Sequence, residues 1–394
     1  MTCEFNKNTL NKNLFYLLSF WAFTGLFLYK EADKTFAAIC LVVSLLSLIN
    51  SSPKEILNNI FNRKLSWVFI SASLIAITSK LSIGYSSSEL RVLITLSLCY
   101  ILTPNSSILL LKRTLPHISF LGCLISIIYC SYETFYLNTP RSNWAINPIP
   151  YTTFTASVSA ICLWHLINYK PAIIKLISGL GYSFGLIAII ISQTRGSLLA
   201  IIIASLYLLL SSNISTKKML LYLLTITFIA SVFNMGKLSQ RYDKTIFEVE
   251  SLINGDYSTS IGIRLDMWKT GYVLFKEKPT FFGLGNSHSK EKEKLYKSGL
   301  ISEQSTNRGH YHNQYISSLI KNGVVGLSII LLLMIIPLLY FINETDKERE
   351  LVLLILIIYS VSALTDIPFS KPPSLAFYGI IMLIITSTYK GRYD

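Results

Sequence analysis

Long apolar runs constrain this chain more than any other feature of its sequence. A helix that crosses the hydrocarbon core of a bilayer needs about 17–25 apolar residues, and such runs recur along the whole chain. Only 14% of the residues are charged, against about 25% in soluble domains. We therefore predict an all-α polytopic membrane protein with about 12 transmembrane helices, centred on residues 14–29, 35–50, 66–80, 88–103, 117–137, 150–168, 173–192, 197–212, 219–235, 313–342, 351–365 and 374–388.

The runs divide the chain into three parts. Nine predicted helices occupy residues 1–235, a hydrophilic segment occupies 236–310, and three predicted helices occupy 311–394. With a cytoplasmic N-terminus, the inner loops carry 15 Lys and Arg residues and the short outer loops carry 7. Lys and Arg favour the cytoplasmic side. We therefore expect both termini in the cytoplasm and segment 236–310 on the outer side of the membrane.

The hydrophilic segment contains one clear helical pattern. Apolar side chains recur at spacings of four and three, which is typical of an amphipathic helix, at Ile261, Leu265, Trp268, Tyr272 and Phe275. Pro279 and the glycines that follow it end this pattern. The helix either lies on the membrane surface or caps the membrane domain.

Two histidines stand where the polar segment meets the tenth run, in RGHYHNQYISSLIKNGVVGL. A neutral imidazole such as that of His312 can accept a proton from an attacking hydroxyl; the alternative is an interfacial histidine that caps a helix or binds a headgroup. On a continuous helix, Gly323 returns to within about 20° of His312 and Gly326 lies about 40° to the other side. These glycines would let a helix or a lipid chain approach the backbone closely.

Charged residues near the predicted outer surface complete the set of candidates. Arg195 in QTRGS joins two runs, and Arg264 lies one turn before Trp268. Guanidinium groups suit phosphate, although a lone Arg also snorkels to headgroups or packs on an aromatic ring. Arg308 adds positive charge nearby. Asp366 follows an apolar run, where acids are costly, and either orients a His or Arg or caps the next element.

Several classes of function are excluded by the absence of their motifs. The chain has no Walker phosphate loop, GxSxG, HExxH or dinucleotide-binding glycine pattern, and its six cysteines show no zinc spacing. We expect no cofactor and no metal. The net charge of +14 is explained by cytoplasmic loops, so it does not indicate a nucleic-acid partner.

The segment HNQYISSLIKNGVVG, residues 312–326, resembles the signature of bacterial O-antigen ligases. That pattern is His, then Asn, Ser or Gln, nine residues, Gly, two residues, then Gly, Thr or Tyr. His312, Asn313, Gly323 and Gly326 fill it. The Arg of TRG and an Arg before Met-Trp, here Arg195 and Arg264, are also similar to the family.

The resemblance implies a C-type glycosyltransferase-like fold and a defined reaction. Undecaprenyl-pyrophosphate-linked O-antigen polysaccharide would be transferred to a sugar hydroxyl of lipid A–core, at the periplasmic face of the inner membrane, with inversion and without a metal. His312 would be the base, and Arg195 and Arg264 would neutralise the leaving group.

Other site residues and other functions remain open. We expect further substrate contacts from Asn313, Arg308 and Asp366. An O-antigen polymerase and a protein O-oligosaccharyltransferase of the same superfamily remain alternatives, and a lipid-linked glycan flippase is a more distant one. Flippases and other transporters carry charges inside their spans, whereas these spans are almost free of charge.

Overall fold

The computed structural model describes residues 7–211, 235–341 and 347–387, and all regular elements in these ranges are helices. The α-helices are α1 Lys7–Thr24, α2 Ala32–Asn50, α3 Pro53–Asn62, α4 Lys64–Ser82, α5 Ser87–Leu102, α6 Asn105–Ser131, α7 Pro148–Asn168, α8 Ala172–Ser192, α9 Arg195–Ser211, α10 Met235–Ile253, α11 Ser260–Glu277, α12 His288–Lys297, α13 Glu303–Thr306, α14 Gln314–Leu339, α15 Lys347–Thr365 and α16 Pro372–Thr386.

Length and composition allow five of the described helices to cross a membrane. They are Ala32–Asn50, Lys64–Ser82, Asn105–Tyr136, Ala172–Ser192 and Gln314–Leu339, and two shorter apolar helices are Arg195–Ser211 and Pro372–Thr386. Large aliphatic side chains on their outer faces are exposed, such as Ile49 at 76% and Leu210 at 80%. Such surfaces are costly in water and typical of contact with lipid.

The predicted runs agree with these helices in position. Eleven of the twelve coincide with described helices, and the run at 219–235 lies almost wholly outside the described residues. The all-helical class is confirmed and the helices are those of a polytopic membrane protein, while the count of about 12 spans stays a prediction.

Helix α7 is the centre of the bundle, because every residue from 150 to 166 is buried. Its small hydroxyl residues bond to neighbouring helices, as small polar residues do between membrane helices. The Thr152 hydroxyl lies 2.8 Å from that of Ser197 on α9, and the Thr155 hydroxyl donates to Ser126 on α6 at 3.0 Å. The first contact fixes the first turn of α9, which carries Arg195.

The helix predicted in the hydrophilic segment is present as α11, but its buried face is not the predicted one. Its first turn is capped by the Thr259 hydroxyl, which accepts from the Gly262 N–H. Tyr272 is 69% exposed, whereas Gly271 packs so closely on α14 that an added Cβ would lie 2.4 Å from Ile316. Helix α11 therefore caps the membrane helices through a face that joins the apolar side chains of Met267 and Leu274 to the small residues Thr270 and Gly271.

The prediction of a continuous helix from residue 312 through Gly326 is wrong at two positions. His312 precedes the helix, and Gly323 has φ 67° and ψ −165°, which kinks α14. The kink receives the backbone of the hydrophilic segment: the Leu284 N–H donates to the Ile320 carbonyl at 2.9 Å, and the Val325 N–H donates to the Phe281 carbonyl at 3.2 Å.

The role of the signature glycines changes with this geometry. A Cβ on Gly323 would lie 2.1 Å from the Phe281 carbonyl oxygen, and φ near +67° favours glycine. Gly326 is also buried, and an added Cβ there would clash with the side chain of Asn322 in the same helix. Gly323 thus admits the backbone of segment 281–283, and not another membrane helix or a lipid chain.

Candidate functional site

His312 is held in a strained turn just before α14. Its φ of 47° lies in the left-handed region, and its N–H donates to His310 Nδ1 at 3.2 Å. Asn313 follows as the N-cap, and its side-chain oxygen accepts from the N–H groups of Tyr315 and Ile316. Strained backbone of this kind is common at functional sites, and here it presents the imidazole outside the helix.

Asn313 also joins α14 to the end of α15. Its amide donates to the Leu364 carbonyl at 3.5 Å, two residues before Asp366. The side chain is buried and its polar atoms serve these structural bonds. Asn313 therefore positions its neighbour His312, and its contact with substrate stays a prediction.

Asp366 faces His312 across a short gap. The distance from Asp366 Oδ1 to His312 Nδ1 is 3.9 Å, which is too long for a hydrogen bond but within ion-pair range if the imidazole gains a proton. Burial lowers the pKa of His312 to about 4, and Arg264, Arg308 and Lys371 lower it further in the same direction. Burial raises the pKa of Asp366. His312 is therefore neutral near pH 7, as a base must be.

The two predicted arginines meet in one cavity of about 270 Å³. The cavity lies between the N-terminus of α9, the first turns of α11 and the end of α15, with Arg141 at its side. Its lining includes Arg141, Thr194, Arg195, Gly196, Ser197, Ser260, Ile261, Arg264, Leu265, Trp268, Ser362 and Thr365. His312 is not part of this lining; it lies beside the cavity through Asp366, the residue after Thr365.

Local backbone geometry places Arg195 at the cavity. Gln193 ends α8 in the left-handed conformation with φ 55°, and α9 begins at Arg195. Gly196 lets this turn approach α15, because an added Cβ would lie 2.8 Å from the Thr365 hydroxyl. Arg195 Nη1 donates to the buried carboxylate of Glu248 at 2.9 Å.

Arg264 reaches the same cavity from α11. Its Nη1 donates to the Ser260 carbonyl at 3.1 Å and to the Ser260 hydroxyl at 3.0 Å. Burial lowers the pKa of Arg264, and the charges of Asp366 and Glu248 oppose that shift. Arg264 therefore lines the cavity, and its charge also lowers the pKa of His312.

Several buried donors of the residues that line the cavity have no acceptor. Among the described residues, no hydrogen-bond partner is present for Nε and Nη2 of Arg195, Nε of Arg264 or Nε1 of Trp268, although all four atoms are buried. Buried polar groups without partners are rare and costly. Four unpaired nitrogen donors with two positive charges fit an anion with several acceptor oxygens.

Arg308 lies at the segment that leads to the histidines. The buried ammonium of Lys292 donates to the Arg308 carbonyl and, at 3.0 Å, to the Ser305 carbonyl, which holds this segment in place. The Arg308 side chain is exposed and lowers the pKa of both His310 and His312. It does not line the cavity, so its contact with substrate stays a prediction.

One cluster has the residue types of a metal site. Ligand atoms of His310, His312 and Asp366 lie within 4.8 Å of one another. The surrounding charge does not suit a cation, because Arg308 and Lys371 lower the pKa of both histidines. The same positive field suits an anionic substrate.

Sequence reasoning missed two charged residues of the site. Glu248 is the buried partner of Arg195, and Lys371 acts on the pKa values of His310, His312 and Asp366. Neither stands in a motif. Glu248 is one of three acids in the sequence EVESLINGD, and nothing local distinguishes it from its exposed neighbour Glu250.

Fold and site together define an integral membrane protein with a histidine–aspartate pair beside an arginine-lined cavity. Residues 180–331 match the family model described as O-antigen ligase (Wzy_C). The match contains Arg195, Arg264, His312 and the signature glycines, and Asp366 lies beyond it. The resemblance noted in the sequence is confirmed.

One curated relative is similar to about half of this chain. The chain is 28% identical over 195 residues to a protein of Haemophilus influenzae that is described as an uncharacterized protein. The alignment covers 45% of this chain and 49% of the relative. The chain thus spans about half the length of that curated relative.

Proposed function

We propose that this protein is an O-antigen ligase, which transfers undecaprenyl-pyrophosphate-linked polysaccharide to a sugar hydroxyl of lipid A–core. The observation that carries the proposal is the set of unpaired donors of Arg195, Arg264 and Trp268 beside His312. The family match supports glycosyl transfer. Ligase is preferred to the alternatives, an O-antigen polymerase and a protein O-oligosaccharyltransferase, because the His312 signature is filled without departure.

The reaction needs one proton transfer and one displacement. The acceptor hydroxyl attacks the anomeric carbon of the donor sugar, and His312 takes its proton. A new bond forms between that carbon and the acceptor oxygen, while the bond to the phosphate oxygen breaks and its electron pair leaves with the pyrophosphate. Attack from the opposite side inverts the anomeric centre.

Electrostatics would supply most of the stabilisation. Negative charge grows on the pyrophosphate, and the free N–H groups of Arg195 and Arg264 would neutralise it as preorganised donors. Positive charge grows on His312, and Asp366 at 3.9 Å stabilises it. The two arginines would take the part that a divalent ion plays in many transferases, so we expect neither metal nor cofactor.

Membrane placement follows the charge bias of the loops. We propose about 12 spans in the bacterial inner membrane, both termini in the cytoplasm, and residues 236–310 in the periplasm, where they complete the site. The division into 1–235, 236–310 and 311–394 then separates two sets of spans from one external segment. Donor and acceptor are both lipid-linked and would enter from the bilayer.

The test is the fate of donor in cells that carry His312→Ala. Loss of a general base costs about 10²–10⁴-fold, so polysaccharide should accumulate on its lipid carrier, already polymerised, and lipid A–core should stay bare. His117→Ala, far along the chain in α6, serves as a matched control. Accumulation of single repeat units would identify a polymerase. Full ligation by the His312→Ala protein would rule out His312 as the base.

A further inference from the structure

The side chain of Glu248 on α10 reaches one of the cavity arginines, Arg195. It is 1% exposed, while its neighbours Phe247 and Val249 are 61% and 41% exposed. Its Oε2 accepts from Arg195 Nη1 at 2.9 Å. The arrangement places a buried carboxylate against a guanidinium that faces the cavity.

The pair is joined by a single contact. Glu248 Oε1 and Arg195 Nη2 are both buried and have no hydrogen-bond partner among the described residues. A bidentate arginine–carboxylate pair would satisfy both atoms and bind more tightly. An ion pair that serves stability alone gains from that second bond, whereas a half-made pair leaves donors of Arg195 open to another anion.

We propose that Glu248 competes with the pyrophosphate lipid for Arg195 and thereby promotes release of undecaprenyl pyrophosphate after transfer. This inference rests on the proposed function. Glu248 does not touch the reacting atoms; it acts through Arg195 and is a positioning residue.

The chemistry of the leaving group explains why release needs help. The donor pyrophosphate is esterified at both ends and carries one ionised oxygen on each phosphorus. Transfer breaks the ester to the sugar and leaves an additional ionisable oxygen on the lipid product. The product therefore binds two arginines more strongly than the donor does, and uniform tight binding would slow turnover. When the carboxylate of Glu248 bonds to Arg195 again, it weakens the binding of the product and so favours release.

The experiment compares purified full-length wild type with Glu248→Gln, which keeps the shape and removes the charge. Equilibrium binding of undecaprenyl pyrophosphate is measured without acceptor, so it does not depend on turnover. The product should bind about tenfold more tightly to Glu248→Gln, since one charge-assisted competitor is lost. In the transfer assay the same variant should show stronger product inhibition and a lower kcat, with KM for donor unchanged or lower.

Glu250→Gln is the matched control, because Glu250 is exposed on the same helix. This variant should bind undecaprenyl pyrophosphate with the wild-type affinity. Equal or weaker binding of undecaprenyl pyrophosphate by Glu248→Gln would overturn the proposal, since a carboxylate that only supports the fold of Arg195 gives that result. Wild type that binds the lipid but transfers no glycan would instead count against the proposed function alone.

Discussion

Replacement of Asp366 by Asn tests whether the carboxylate stabilises the imidazolium of His312. The two groups are 3.9 Å apart and the carboxylate is 5% exposed. At that distance a full charge pair is worth about 4 kcal/mol at an effective dielectric constant near 20, and about 1 kcal/mol in bulk water. Arg264 and Lys371 act on the same carboxylate, so the lower half of this range applies. We expect kcat to fall roughly 10- to 100-fold.

The assay is ligation by purified protein with donor and lipid A–core, with kcat and KM measured separately. Asn keeps the volume of Asp366, so protein abundance and donor KM should remain close to wild type. The pKa of His312 is about 4, so wild-type activity should stay level from neutral pH down to about pH 5 and fall below that as the base is protonated. An unchanged kcat in Asp366→Asn, or a change in KM alone, would refute the pairing.

Three further predictions follow from the site and the kink. Arg195→Ala and Arg264→Ala should each lower ligation at least 10²-fold at normal abundance, with poor rescue by Lys because a point charge cannot replace a bidentate fork; normal ligation would make the residue a headgroup anchor. Single cysteines placed in 236–310 should react with an impermeant thiol reagent from the periplasmic side, and labelling only after lysis would reverse the topology. Gly323→Ala should destabilise the protein by about 1–3 kcal/mol through backbone strain and lower its Tm, whereas Gly309→Ala, in open space, should not.

Local patterns predicted the parts of this fold that depend on local physics. Hydropathy located the helices, since a membrane helix is defined by a run of apolar residues, and spacing located α11. The buried face of α11 was predicted wrongly, because the more apolar face was chosen over one that contains Thr270 and Gly271 beside Met267 and Leu274. The kink at Gly323 depends on Phe281, some forty residues earlier in the chain.

The residues of the site also divide into those with a local sequence signal and those without one. Arg195, Arg264 and His312 belong to short motifs, and the structure brings the two arginines into one cavity with the histidine beside it. Glu248 and Lys371 reach the site only through the packing of separate helices. Their sequence surroundings resemble those of ordinary surface charges. Their effect on the arginines and histidines therefore could not be predicted from the sequence and is seen only in the folded structure.

The backbone bonds at the kink of α14 also determine which parts of the chain can open separately. The Leu284 and Val325 amides are bonded across the boundary between the hydrophilic segment and a membrane helix, and the Asn286 N–H is bonded to the Ile83 carbonyl at the α4–α5 turn. Amides that exchange through one shared opening event have the same opening free energy. Loosening of segment 281–286 would therefore expose the upper turns of α14 at the same time, and deuterium uptake in these two stretches should rise together.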